Sequence, residues 1–289
     1  MRLITFGTPG NWTAAFDIEG CAVTLDAAAR AVGWAETSLT NRRLLALGPE
    51  RMAELARAAA ILPGEPLATL RLGPPIPDPQ KIICIGLNYQ DHANEVGASP
   101  PPSPIFFAKF ANSLVGPNDN LIPPRDETHV DYEAELAIVI GKPGRYISRK
   151  DAFSHVAGAM AFNDVSARDF QLANQLWTSG KAVDTFGPCG PALVTVDDLG
   201  DLQDLSIKTR VNGNTVQNST TSQMIFSIAE LIEFLTRVMT LEPGDIIATG
   251  TPSGVAGAHN PPRFLKAGDV VEVELQGIGT LKNRVLEAE

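Results

Sequence analysis

The chain has 289 residues, which suits one large domain or one domain with a small companion. Its hydrophobic content of 44% is that of a globular protein with a sizeable core, and its formal net charge of −10 argues against a nucleic-acid binder. No stretch approaches the ~18 uninterrupted apolar residues of a membrane span, and the first residues, "MRLITFGTPGNW", lack the apolar region of a secretory signal.

Residues 1 to about 70 read as a small α/β unit. "LITF" and "CAVTL" are short strands, and "PERMAELARAAA" is a helix opened by Pro49. Six prolines between residues 62 and 80 break any regular element, so the joint to a second domain, 71–289, is expected there. That domain is β-rich. "KIICIG" (81–86), the run 129–141 and "VAGAMAFNDVS" (156–166) read as strands. "SIKTRVNGNTVQ" (206–217) is a hairpin turning at Asn212-Gly213. "SIAELIEFLTRVMTL" (227–241) is a helix with a Ser227/Glu230 capping box. "GDIIATG" and "AGDVVEVELQGIGTLKNRV" add further strands. Many short strands with few helices predict an α+β fold with a closed or rolled β architecture. Cys21, Cys84 and Cys189 are odd in number and far apart, with no C-x-x-C. They read as small buried hydrophobes in a reducing cytoplasm.

The run "HVDYEAELAIVIG" (129–141) places Asp131, Glu133 and Glu135 at alternate positions of an expected strand. Side chains two apart share a face, about 7 Å from each other. Such charges suit either a solvated sheet edge or a divalent cation, since hard cations take oxygen ligands. Asp164 closes the strand 156–166, as a ligand or as a helix N-cap, with Ser166 the alternative cap. In "GLNYQDHANEVG" (86–97), His92 and Glu95 are spaced i, i+3, on one side of a short helix. They are a surface ion pair or an oriented general base. "GASPPPSP" after them suits a lid. Lys181 lies in a loop of glycines and prolines, "SGKAVDTFGPCGP", and can face an anion there. "ATGTPSGV" (248–255) offers backbone N–H groups and Thr251 to a carboxylate. His155 and His259 read as structural or solvated, while His129 stands close to the acidic strand. There is no G-x-S-x-G, G-x-G-x-x-G or P-loop.

Taken in order, "GLNYQDHANEVG", "PIFFAKFANSLVGP", "DYEAELAIVIGK", "FNDVSARDFQ", "GKAVDTFGPCGP", "VNGNTVQNSTT", "GDIIATGTPSGV" and "GDVVEVELQGIGTLKN" resemble the fumarylacetoacetate hydrolase superfamily from about residue 78 to 285. The resemblance implies the family's mixed β-roll, with Glu133, Glu135 and Asp164 as ligands of Mg²⁺ or Mn²⁺. It implies catalytic roles for His92, Glu95 and Lys181, with Lys109, Arg168, Gln171 and Thr251 around the substrate. It also implies a homodimer acting on a small 2-oxo acid, with no nucleic-acid or membrane partner. The chain resembles the shorter bacterial acylpyruvase and 2-hydroxyhepta-2,4-diene-1,7-dioate isomerase-like branch. Leu87 stands where some acylpyruvate hydrolases carry Arg. The intact His92-x-x-Glu95 pair favours hydrolysis of a C–C bond in a 2,4-dioxo acid. In that reaction His92 activates water, and the cation and Lys181 stabilise the departing pyruvate enolate. A 2-oxo acid decarboxylase of the oxaloacetate type, or a 2-oxo-enoate isomerase, is the alternative on the same metal site. The wall around the rest of the substrate is expected from residues 88–104 and from the loop near 255–264, which carries His259 and Arg263.

Overall fold

A computed structural model describes residues 1–35 and 38–288. Its frame is one large mixed sheet. The spatial order is Glu65–Pro66, Cys21–Thr24, Asn11–Ile18, Arg2–Thr8, Gly187–Thr195, Val156–Asn163, Ala134–Ile140, Ile246–Ala248, Ile82–Gly86 and Ile105–Lys109. Leu114–Val115 joins it in parallel beside Gly187–Thr195. A second, antiparallel-rich sheet runs Asn214–Thr220, Ser206–Val211, Val270–Leu275, Gly279–Val285 and Asn120–Leu121. Both are open paths among the described strands, so the rolled form of the expected architecture applies and the closed one does not.

Ala134–Ile140 lies at the middle of the large sheet and is buried along its whole length. Leu136, Ile138 and Ile140 face one core, shared with Ile207, Val273 and Leu281 of the second sheet. Ala137 and Val139 face the opposite core, shared with Leu44 and Leu55 of the N-terminal helices. A strand buried on both faces reads as a continuous apolar run, and this one does from Leu136 to Ile140, beyond Glu135. The helix Ile228–Val238 carries the full capping box at Ser227 and Glu230, and buries Ile228, Leu231, Ile232 and Leu235. The hairpin turns at Asn212 (φ 50°) and Gly213 (φ 79°), the two positive-φ positions of a type I′ turn.

The proline-rich stretch near residue 70 marks a change of sequence character, but the packing continues across it. Arg2–Thr8 pairs directly with Gly187–Thr195, and Leu3 and Phe16 share a core with Cys84 and Met160. The N-terminal unit thus extends the large sheet. Its helices Leu25–Ala31 and Asn41–Leu47 join the expected Pro49–Ala59; each of the two is only seven residues long, too short for a clear periodic pattern. All three cysteines are free, and Cys84 and Cys189 are buried as expected.

Candidate active site

The expected continuous strand 129–141 is broken. Val130–Asp131 pairs with Ser166–Ala167 in a separate ribbon, and the central strand starts only at Ala134. Ala134 pairs with Asn163 at the end of the antiparallel ladder, so Glu133 and Asp164 emerge together just beyond it. The Asp164 N–H donates to the Glu133 carbonyl at 2.9 Å, and the Glu133 N–H donates to Asn163 Oδ1 at 3.0 Å. Glu135 projects from the ladder beside them. Carboxylate oxygens of Glu133, Glu135 and Asp164 lie within 4.8 Å of one another, and all three residues are buried. Asp164 is therefore no N-cap. The helix Arg168–Leu172 begins at Ala167 without a side-chain cap.

Two buried lysines face the cluster. Lys181 Nζ donates to Glu133 Oε2 at 2.7 Å and to Asp164 Oδ2 at 2.9 Å. Lys109 Nζ, at the end of the edge strand, donates to Asp164 Oδ1 at 2.6 Å and to the Val165 carbonyl at 3.1 Å. Lys181 ends the short helix Thr178–Lys181 rather than sitting in a loop. That helix is pressed against the site at Gly180, where a Cβ would lie 2.3 Å from the Ala167 carbonyl oxygen. Arg168 bridges outward from the cluster. Its Nη2 lies 2.7 Å from Glu133 Oε1 and 2.8 Å from Asp131 Oδ2, and its Nη1 donates to Gln171 Oε1 at 2.8 Å. Asp131, the third carboxylate of the alternating run, thus holds Arg168. It also accepts from the Ala256 and Gly257 N–H groups and so fixes the loop 255–258.

The electrostatics separate the two glutamates. Burial pushes the Glu133 carboxyl upward, but Lys181 and Arg168 outweigh it and hold the pKa at about 2. Burial raises Glu135 well above the ordinary carboxylate range, and Asp164 and Glu133 beside it push the same way. Glu135 accepts one hydrogen bond, from the Gly250 N–H at 2.8 Å, and pairs with no cationic side chain among the described residues. Burial opposes the charge on Lys181, yet Asp164 and Glu133 raise its pKa and keep it protonated. A buried three-carboxylate set with one member lacking a counter-charge fits a hard divalent cation, with Glu133, Glu135 and Asp164 as its oxygen ligands.

His92 lies on the helix Gln90–Glu95, with Nδ1 3.1 Å from Glu95 Oε2. Glu95 Oε1 accepts from the Gly254 N–H at 2.8 Å, and Asp91 Oδ2 accepts from Ser219 Oγ at 2.6 Å. The helix that carries the pair is thereby tied to the loop at Gly254 and to the strand Asn214–Thr220, unlike a free surface ion pair. His92, Asp131, Arg168 and Gln171 line one cavity of about 500 Å³. Thr251 is buried, and its Oγ1 accepts from Gln217 Nε2 at 2.9 Å. Two of the N–H groups expected to receive a ligand, those of Gly250 and Gly254, are occupied by Glu135 and Glu95. Sequence reasoning missed two supports. Asp131 was legible only as part of the alternation. Gln217, which also accepts from the Ala134 N–H and from Thr209 Oγ1, comes from a hairpin remote in sequence and carries no local signal. His155 is buried against the Lys142 carbonyl, a structural role as expected.

Comparison with known proteins agrees with this geometry. The chain is 46% identical over 250 residues to the mitochondrial oxaloacetate tautomerase FAHD2A of Bos taurus, covering 86% of this chain and 80% of that one. Among solved structures it is similar to maleylpyruvate hydrolase from Sphingobium sp. SYK-6, with a TM-score of 0.83, 30% identity and full coverage of both chains. It is also similar to the 2-hydroxyhepta-2,4-diene-1,7-dioate isomerase of Mycobacterium marinum, with a TM-score of 0.74 and 32% identity, covering 99% of this chain and 98% of that one. Residues 81–286 match the family model for the fumarylacetoacetate (FAA) hydrolase C-terminal domain, and the chain is an enzyme of the fumarylacetoacetate hydrolase superfamily.

Proposed function

We propose that this protein is a divalent-metal-dependent enzyme that moves a proton on an enolisable 2-oxo acid, an isomerase or tautomerase of the oxaloacetate type. The observation that carries the reading is His92, oriented by Glu95, on the wall of the cavity that also holds the Arg168 and Gln171 side chains of the carboxylate site. The names of the relatives favour proton transfer over the C–C hydrolysis expected from the dyad alone. Glu133, Glu135 and Asp164 would hold Mg²⁺ or Mn²⁺. When bound, the cation supplies Lewis-acid polarisation of the substrate's 2-oxo oxygen, which acidifies the adjacent C–H. Glu95 occupies His92 Nδ1, so Nε2 is the nitrogen that takes the carbon-bound proton. The freed electron pair moves to the 2-oxo oxygen, and the proton returns there to give the enol. Lys181 supplies a fixed positive charge beside that oxygen, and Gln217 aims the Thr251 hydroxyl.

Hydrolysis of a 2,4-dioxo acid is the second reading, favoured by the same dyad, which is built to deprotonate water. Oxaloacetate, acetylpyruvate and fumarylpyruvate, each with Mg²⁺ and with EDTA, separate the outcomes. Metal-dependent loss of enol absorbance from oxaloacetate, without pyruvate, supports the tautomerase. Pyruvate with carbon dioxide would move the assignment to a decarboxylase. Pyruvate with a carboxylic acid from the diketo acids would restore the hydrolase. We also propose a homodimer. Ile105 and Phe106 on the edge strand, with Phe110 and Leu176 nearby in the chain's outer loops, leave large apolar side chains exposed. Light scattering coupled to gel filtration tests it.

A further inference from the structure

In the strand Asn214–Thr220 every residue except Gln217 keeps some exposure to solvent, whereas Gln217 is 1% exposed. A β-bulge turns it inward. Thr209 pairs with Gln217 but Arg210 pairs with Thr215, so Val216 is the extra residue. The Val216 carbonyl presses on the loop that follows Ile246–Ala248. At Gly254 (φ 102°) a Cβ would lie 2.1 Å from the Val216 oxygen, so the loop comes this close only with glycine there.

The Gln217 amide is fully used. Its Oε1 accepts from the Ala134 N–H at 3.0 Å and from Thr209 Oγ1 at 2.7 Å. Its Nε2 donates to Thr251 Oγ1 and to the Pro252 carbonyl, each at 2.9 Å. The surroundings fix which end is which. A backbone N–H can only donate and a carbonyl can only accept, so the amide oxygen faces Ala134 and the nitrogen faces Pro252. The second amide hydrogen then goes to Thr251, and Thr251 Oγ1 is the acceptor in that bond. The Thr251 hydroxyl hydrogen is left over. No acceptor takes it among the described residues, although Thr251 is only 5% exposed. One residue earlier, the Gly250 N–H donates to Glu135 Oε2, and Ala134 itself stands between Glu133 and Glu135. One amide thus ties the strand of two cluster carboxylates to a hydroxyl beside them.

We infer that Gln217 is a positioning residue, which holds the Thr251 hydroxyl as a hydrogen-bond donor to an anionic ligand at the carboxylate cluster. This rests on the proposed binding of a 2-oxo acid carboxylate there. Unanchored, the hydroxyl would rotate and present its oxygen as readily as its hydrogen. Accepting from a buried amide, it must point its hydrogen away from Gln217. That arrangement favours a carboxylate, which can only accept.

The test is a double-mutant cycle on the full chain, read by calorimetry with Mg²⁺ and then with oxalate as probes. Thr251→Val removes the hydroxyl at nearly constant shape. It should weaken oxalate roughly tenfold or more, the scale of a hydrogen bond to a charged group. Gln217→Met keeps the hydroxyl but frees it to turn, and should weaken oxalate roughly three- to tenfold. Added to Thr251→Val, the same change should cost under about twofold more, because its route of action is already gone. The metal ligands have their own supports, Glu133 on Asn163 and Asp164 on the Glu133 carbonyl, so Mg²⁺ affinity should be unchanged in every variant. Equal losses from Gln217→Met with and without the Thr251 hydroxyl would overturn the proposal, since a merely structural glutamine costs the same in both. An unchanged oxalate affinity in either single variant would overturn it too. If Gln217→Met does not fold, Gln217→Glu, which keeps the acceptor for Ala134 and Thr209, replaces it in the cycle, and its loss must likewise depend on the hydroxyl. Failure of oxalate to bind the wild type would overturn the 2-oxo acid reading itself, and this inference with it.

Discussion

Replacing Lys181 by Met removes one of the two buried ammonium groups facing the carboxylate cluster while keeping an unbranched apolar stem. Lys181 is 2% exposed and bridges Glu133 and Asp164 at 2.7 and 2.9 Å. Removing one partner of a buried ion pair costs about 3–5 kcal/mol, because a charge is left uncompensated. Here each carboxylate keeps a second cation, Arg168 at 2.7 Å from Glu133 and Lys109 at 2.6 Å from Asp164. The lower end, about 3 kcal/mol, is therefore expected in EDTA, with a melting point lower by roughly 5–10 °C. Mg²⁺ would take over the missing charge, so saturating Mg²⁺ should stabilise the variant by more than it stabilises the wild type. Denaturant unfolding of both proteins, with EDTA and with Mg²⁺, measures the four stabilities. A variant that loses under about 1 kcal/mol in EDTA, or gains no more from Mg²⁺ than the wild type, would refute the charge balance assigned to this site.

Glu135→Gln should stabilise the metal-free protein at pH 8 by about 1–3 kcal/mol, since it removes a buried carboxylate with no cationic partner. Burial, Asp164 and Glu133 raise its folded pKa, so its contribution to stability is full below the ordinary value of 4.5 and is lost as pH rises through the folded value. The gain in the variant should therefore fade toward pH 4 in thermal melts, and its affinity for Mg²⁺ should drop. His92→Ala should lower kcat on the order of 10²–10⁴-fold. Mg²⁺ titration by calorimetry should find the metal affinity of that variant unchanged. Gly180→Ala places a Cβ 2.3 Å from the Ala167 carbonyl oxygen. It should cost about 1–3 kcal/mol by overpacking, and displace Lys181, so that activity falls even at temperatures where circular dichroism reports a folded chain. Oxalate should bind the Mg²⁺ form and fail to bind after EDTA treatment; unchanged calorimetric heats after chelation would refute a cation at the cluster.

Much of the site was legible because its residues sit at the ends of strongly patterned strands. Glu133, Glu135 and Asp164 flank apolar runs, and a charge at the end of a buried strand must be compensated. The His92-x-x-Glu95 spacing gave the dyad directly, because i, i+3 residues meet on a helix. The breaks were harder to see. Nothing in "HVDYEAEL" announces that pairing with Ser166–Ala167 ends at Asp131 and that the central strand resumes at Ala134. That interruption sends Asp131 to Arg168 instead of to the cluster. Gln217 was invisible for a different reason. Its partners Ala134 and Thr251 lie 83 and 34 residues away, and no local pattern encodes a contact across that separation. Residues 1–70 looked separable because proline composition changes near the joint, whereas the hydrogen bonding of Arg2–Thr8 to Gly187–Thr195 is a long-range pairing.

The charges around the cluster also bear on how the proposed metal and substrate would bind. Asp131, Glu133, Glu135 and Asp164 are opposed by Lys109, Lys181 and Arg168, so with every carboxylate ionised the group carries one net negative charge. A 2-oxo acid brings a further negative charge, and in a buried site like charges a few ångströms apart repel strongly. Protonation of Glu135, favoured by its surroundings, removes the excess without creating any attraction for an anion. A divalent cation reverses the sign to a net positive charge, which the carboxylate nearest the 2-oxo group then neutralises. Under the proposed function this balance favours metal binding before substrate. A second carboxylate on the substrate goes beyond that balance and has to find its counter-charge elsewhere.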